Sequence, residues 1–280
     1  MNKDFVTIAI MAESGHGKDF CGCWMVDNMG FLDLAFADHI KRLCRIIFKP
    51  FSDDALWGEP ALRNTEVPIN WEEAEYRFTW GVDDWIMQIT NLSIEERAEY
   101  KNMVRQWFNK VRVIAWQDEV NVDTKVKGNM SPRVALQLLG TEYGRSFKQH
   151  IWSGLVLNEV VPKLENKEND YQRHFGLTKL SPSRPPIKGV VITDCRYLSE
   201  MEHVQEAGGY VIKIVRNSKK GKANEALVHG VTNHNSEVEL QSIPNEAFDV
   251  VLEMDDGAEN VYPRLQKMFD EREFETLTAP

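Results

Sequence analysis

The chain has 280 residues and a mass of 32.3 kDa, about twice a usual domain length, a size at which α/β folds still form one large core with an elaborated second lobe. With 42% hydrophobic, 10% aromatic and 27% charged residues, it is too apolar for disorder and too aperiodic for collagen or a coiled coil. Thirty-three Lys plus Arg against 43 Asp plus Glu give a net charge of -10, the reverse of the balance that long DNA or RNA demands, although a local cluster of Arg and Lys can still hold a small phosphorylated molecule.

Phe5 to Met11 (FVTIAIM) is a short, nearly continuous apolar run, the pattern of a central parallel strand covered on both faces. The N-terminus lacks a basic region with an apolar core and cleavage site, and no apolar run reaches ~18 residues, so neither secretion nor membrane spanning is expected. A helical pattern follows from Gly17 to Met29, then a second strand from Phe31 to Phe36 and a second helix from Asp38 to Phe48. From Ser52 to Ser131 that rhythm stops. This interval holds Trp57, Trp71, Trp80, Trp85, Trp107 and Trp116 with many Glu and Arg, shows helical spacing from Ser93 to Gln117, and reads as a mainly helical insertion whose tryptophans pack its core, stacking on a base being the lesser reading for any one of them. Helical patterns resume at Pro132 to Tyr143 and Ser153 to Leu164, and the Pro- and Ser-bearing Leu177 to Pro186 reads as a connector. Strands at Lys188 to Thr193, Tyr210 to Val215 and Phe248 to Glu253 then alternate with helices at Leu198 to Ala207 and Ala258 to about Phe274. Such alternation implies right-handed crossovers and a doubly wound α/β sheet. Cys21, Cys23, Cys44 and Cys195 are too few and too irregularly spaced for a disulfide framework or a zinc site, and are expected as reduced, buried thiols in a cytoplasm.

Directly after the first strand comes Ala12-Glu13-Ser14-Gly15-His16-Gly17-Lys18-Asp19, then a helix. Glycines at such a turn let backbone N–H groups close around phosphate oxygens at a helix N-terminus, while a lysine reaches the outer phosphates. Ala12 replaces the usual first Gly, and Asp19 stands where Ser or Thr is usual; a carboxylate there can hold magnesium directly or through water. The alternative is a Gly-rich turn that binds nothing. Asp194-Cys195-Arg196 ends the third strand, where ligands meet parallel sheets, so Asp194 is a candidate for magnesium or its water shell and Arg196 for an anion; a structural ion pair is the other reading. After the second strand, Asp38, Lys41 and Arg42 begin a helix at the same edge, with Asp38 as a helix cap the plainer account of that residue.

Seven ordered blocks resemble bacteriophage deoxynucleoside monophosphate kinases: Gly15-His16-Gly17-Lys18-Asp19; Phe36-Ala37-Asp38 with Lys41; Leu56 to Asn64 (LWGEPALRN); Leu136 to Arg145 (LQLLGTEYGR); Ile192 to Arg196 (ITDCR); Gly208-Gly209 with Ile214-Val215-Arg216; and His234 to Glu237 (HNSE). They run from residue 5 to about 255. The resemblance implies a P-loop kinase with sheet order 2-3-1-4-5, a core of 1–51 and 132–280, a lid of about 216–235, and an acceptor-binding lobe of 52–131. It implies transfer of the γ-phosphoryl group of ATP, with Mg2+, to a deoxynucleoside 5′-monophosphate for phage DNA precursor synthesis. The implied donor-site residues are Ser14, Gly15, His16, Gly17, Lys18 and Asp19. Asp38, Lys41, Arg42, Arg63, Arg145 and Arg196 are implied around the acceptor, Lys18, Asp194, Arg145 and Arg216 in catalysis, and Asp19 and Asp194 at the metal. A host-cell cytoplasm is the implied compartment, and a homodimer stays open. Phosphoryl transfer between two anions needs screening cations and alignment rather than a strong base. Other readings are a related kinase acting on a modified pyrimidine in DNA or on dephospho-coenzyme A, and a module that binds ATP without turnover.

Overall fold

The computed structural model describes residues 5–13, 16–58, 60–87, 89, 92–117, 127–165, 187–216, 235–254 and 261–270. In chain order the described elements are β1 (Val6–Ala12), α1 (Lys18–Met29), β2 (Phe31–Leu34), α2 (Asp38–Ile47), α3 (Asp53–Trp57), α4 (Pro60–Asn64), β3 (Val67–Asn70), α5 (Trp71–Met87), α6 (Ile94–Gln117), β4 (Lys127–Met130) and α7 (Pro132–Gln137). After them come helical segments at Leu138–Gly144, Arg145–Phe147, Ile151–Leu155, Val156–Val160 and Val161–Glu165, then β5 (Gly189–Ile192), β6 (Tyr210–Val215), β7 (Val250–Glu253) and helices at Leu198–Glu206, Asn235–Ser242, Asn245–Ala247 and Tyr262–Asp270. The expected connector 177–186 lies outside the described residues. The chain divides into two compact units, Met1–Phe36 with Val160–Pro280, and Ala37–Glu159. The second takes in the expected insertion of 52–131 together with 37–51 and 132–159.

The first unit is built on a five-stranded sheet in the order β2-β5-β1-β6-β7, with every pairing parallel. These labels differ from the expected 2-3-1-4-5 because β3 and β4, which belong to a separate two-stranded sheet, take chain numbers three and four. Counted alone, the large sheet's strands stand second, third, first, fourth and fifth. All five are short; β1, β5, β6 and β7 are rich in Val and Ile, as strands of parallel sheets are, whereas β2 at an edge of the sheet is Phe-Leu-Asp-Leu with Asp33 exposed. Ile8, Ile10, Ile212 and Ile214 alternate along β1 and β6 and share a core with Met25 of α1 and Leu265 and Met268 of the last described helix. Trp24 stacks on Tyr262 with ring centroids 4.9 Å apart, fixing those two helices side by side. The helix Leu198–Glu206 packs against β1 and β6.

The second unit surrounds Phe48, which is fully buried. Its ring lies 5.0 Å from Phe51, 5.8 Å from both Trp71 and Trp107, and 6.1 Å from Phe108. Such clusters bury large apolar surfaces, and Trp107 loses no hydrogen bond in doing so because its Nε1–H donates to the Ala135 carbonyl at 3.0 Å. The expectation that the tryptophans pack the core holds for half of the six named: Trp71, Trp85 and Trp107 are buried, whereas Trp57, Trp80 and Trp116 are exposed. α2 and α5 approach closely at Gly81, where an added Cβ would stand 2.6 Å from Ile46 Cγ2. The long helix α6 starts on a capping box, with Glu96 N–H donating to Ser93 Oγ at 3.1 Å and Ser93 N–H to Glu96 Oε2 at 2.9 Å.

Two features escaped the sequence. β3 and β4 pair antiparallel, Val67 opposite Met130, and β3 tolerates Pro68 because a two-stranded ribbon leaves each strand an edge. The helix expected over 132–143 changes pitch: α7 gives way to π geometry over Leu138–Gly144 before a last turn at Arg145–Phe147.

Candidate functional site

In the first unit, the register of the sheet sets the site. Ala12, the last residue of β1, pairs with Ile214, two residues before Arg216, and Ile192, two residues before Asp194, pairs with both Ala9 and Leu34. The loop after β1, Asp194, Arg196 and Arg216 therefore share the carboxyl edge of one parallel sheet, the edge at which such sheets take ligands.

The loop closes tightly onto α1. His16 N–H donates to the Glu13 carbonyl at 3.2 Å, and Gly17 takes the left-handed conformation at φ 86°, which a residue with a side chain adopts only with strain. Lys18 and Asp19 open the helix, Lys18 Nζ 3.1 Å from Asp19 Oδ2. Ser14 and Gly15 lie outside the described residues. Glu13 ties the loop to two neighbours: Oε2 stands 3.7 Å from His16 Nε2, and Oε1 accepts from Gln241 Nε2 at 3.1 Å on the helix Asn235–Ser242.

At the end of β5, Asp194 Oδ1 accepts the Phe36 N–H at 2.8 Å. The following turn is pinned by Glu200, a buried carboxylate whose Oε2 accepts the N–H groups of Arg196 at 2.8 Å and Tyr197 at 3.3 Å. Arg196 itself is exposed and Arg216 is half-buried. Cys195 is buried and its thiol is pushed well above the ordinary range, by burial first and then by Glu200 and Asp194. Burial likewise raises Cys21 to about 12 and raises Cys44 further; among the four free cysteines Cys23 is exposed, contrary to the expectation of uniformly buried thiols.

In the second unit, α2 carries Asp38, Lys41 and Arg42. Asp38 is not the helix cap, as its sequence position suggests: Ala37 occupies that place and Asp38 is the first helical residue. Its Oδ1 accepts Trp57 Nε1–H at 2.8 Å and lies 3.5 Å from Lys41 Nζ. His39, next in sequence, is buried with its ring 5.6 Å from Trp85. Burial lowers it to about 4; Arg42 adds to this, while the Leu155 carbonyl, Asp38 and Glu159 oppose it. Arg63, on α4, donates from Nη2 to the Leu56 carbonyl at 3.3 Å. Arg145 follows the π segment directly, and Gly144 before it meets Trp152 so closely that a Cβ would stand 2.2 Å from that ring.

The candidate residues thus fall into two sets, Lys18, Asp19, Asp194, Arg196 and Arg216 in the first unit and Asp38, Lys41, Arg42, Arg63 and Arg145 in the second. Sequence reasoning missed Trp57, Glu13 and Glu200. Only Glu200 left a trace, as an acid three residues into a helix; an indole donating to a carboxylate 19 residues away leaves none. His234 lies outside the described residues. Among the described residues no group of three or more His, Cys, Asp or Glu could hold a metal ion, and no helix is long and apolar enough to cross a membrane.

No protein-family model matches the chain. The chain is 26% identical over 266 residues, 95% of its length and 96% of the relative's, to a protein of Acanthamoeba polyphaga mimivirus named "Putative deoxynucleotide monophosphate kinase". The likeness therefore reaches a nucleotide kinase by name over nearly the whole chain, and its source is a giant virus rather than a bacteriophage.

Proposed function

We propose that this protein is an ATP-dependent kinase that moves the γ-phosphoryl group of ATP to a deoxynucleoside 5′-monophosphate, giving ADP and the deoxynucleoside diphosphate. The observation that carries this reading is the β1-loop-α1 unit, in which a left-handed Gly17 and Lys18 at the helix N-terminus stand at the carboxyl edge of a parallel sheet. The near full-length likeness to a protein named as such a kinase supports the acceptor class.

The residues suit the polyphosphate of ATP. Backbone N–H groups of the loop and the first turn of α1 carry the positive end of the helix dipole, and Lys18 Nζ adds a full charge for the outer phosphates. Mg2+ fits in company with those phosphates: Asp19 and Asp194 supply carboxylate oxygens, directly or through water, and the phosphates complete the shell. Bound there, the ion would neutralise charge on the transferred group. Arg196 and Arg216 add charge at the same edge, and we assign Lys18, Asp194, Arg145 and Arg216 to transition-state stabilisation. We assign Asp38, Lys41, Arg42, Arg63, Arg145 and Arg196 to the acceptor; the lid expected over about 216–235 lies, apart from its two end residues, outside the described residues. The acceptor phosphate is already ionised at neutral pH, so these groups hold and align it and no strong base is required.

The test is ADP release from ATP with dAMP, dCMP, dGMP, dTMP and 5-hydroxymethylated monophosphates, run beside single- and double-stranded DNA. Turnover confined to monophosphates is expected. Label from ATP entering DNA alone would overturn the acceptor assignment.

A further inference from the structure

Asp38, Trp57 and Lys41 contact one another within the second unit. The Trp57 N–H donates to Asp38 Oδ1 at 2.8 Å, Lys41 Nζ stands 3.5 Å from the same oxygen, and Lys41 Nζ lies 5.9 Å from the centroid of the Trp57 ring. The carboxylate and the ammonium are mostly sheltered, with side-chain exposures of 19% and 14%, whereas Trp57 is 39% exposed. Trp71, Trp85 and Trp107 serve packing and are buried; Trp57 stands at the end of α3 with its polar edge turned to a charged group.

We propose that Trp57 is a positioning residue for the acceptor nucleotide: by gripping Asp38 Oδ1 it fixes the carboxylate to accept a hydrogen bond from the nucleoside part of the deoxynucleoside monophosphate. The inference rests on the kinase reading above. Charge decides which part of the acceptor is read. A carboxylate repels the 5′-phosphate and only accepts hydrogen bonds, so its partner is an O–H or N–H of the sugar or base. Restraint from two sides matters because a carboxylate that must be immobilised on binding loses affinity to side-chain entropy, while one already held does not. Lys41 balances its charge without taking the indole's place, since an ammonium on a flexible stem has no fixed direction.

Trp57→Phe keeps the ring and removes the donor. Steady-state kinetics of the wild type, Trp57→Phe, Asp38→Ala and the double variant test the claim. Trp57→Phe is expected to raise KM for the monophosphate about tenfold, with KM for ATP and kcat within about twofold; in the Asp38→Ala background it should add less than about twofold, because the indole acts through Asp38. Trp57→His, which restores an N–H, should recover most of the loss, and it carries the comparison if Trp57→Phe does not fold. An active wild type indistinguishable from Trp57→Phe, or a Trp57→Phe effect that multiplies unchanged on Asp38→Ala, would overturn this inference alone. A wild type that phosphorylates no monophosphate would overturn the kinase reading and the inference with it.

Discussion

The Phe36 N–H and Asp194 Oδ1 are 2.8 Å apart across 158 residues of chain, so the carboxylate at the end of β5 also fastens the end of β2. Asp194 thus carries a structural bond beside its proposed role at the metal, and the two are separable. Asn keeps an acceptor oxygen and loses the charge, whereas Ala loses both. Asp194→Ala should lower unfolding free energy by about 1 to 3 kcal/mol and Asp194→Asn by less, while both lower kcat and shift the magnesium dependence. Denaturant titration and a magnesium series read the two effects; a magnesium dependence identical to wild type in Asp194→Asn would remove it from the metal.

Lys18→Ala should reduce kcat by at least about a hundredfold and leave circular dichroism unchanged. A charge on the transferred phosphate acts mainly in the transition state, and in this structure Lys18 is paired with its exposed neighbour Asp19. A variant with wild-type kcat would make the loop a turn without a ligand.

Arg63→Ala should cost roughly 2 to 4 kcal/mol in kcat/KM, expressed in KM for the monophosphate far more than for ATP, if a charge-assisted contact to the 5′-phosphate is lost. Its bond to the Leu56 carbonyl at 3.3 Å belongs to the scaffold, so a melting curve accompanies the kinetics. Equal effects on both substrates would assign Arg63 to the scaffold or to the donor.

His39 should make the fold acid-labile. Its native value, about 4, lies below the unfolded one, about 6.5, so between them the unfolded chain binds a proton that the native one refuses. The stabilisation is complete above pH ~6.5 and is lost as pH falls from there toward 4, by at most about 3 kcal/mol. His39→Gln, measured against its own stability at pH 7.5, should flatten that stretch of the profile. An unchanged slope would mean that other groups carry the acid transition.

The large sheet was legible in local pattern. Short runs such as Phe5 to Met11 and Tyr210 to Val215 are almost continuously apolar and rich in Val and Ile, the pattern of inner parallel strands, and the strand-loop-helix frame of Lys18 follows from local pattern. The long helix near 93–117 was legible too, since Ser93 and Glu96, three residues apart, have the spacing of a capping box at its start. Tertiary structure alone decided what depends on residues far apart in the chain. The β3–β4 pairing joins 67–70 to 127–130, Trp57 of α3 donates to Asp38 of α2, and Asp194 meets Phe36 across the sheet. Each is a directional bond between groups that carry no periodicity, and periodicity is the signal by which sequence reports structure. The pitch change at Leu138–Gly144 has the same origin: Trp152 Nε1–H donates to the Gly140 carbonyl at 2.8 Å, a bond to the helix backbone that no local propensity encodes.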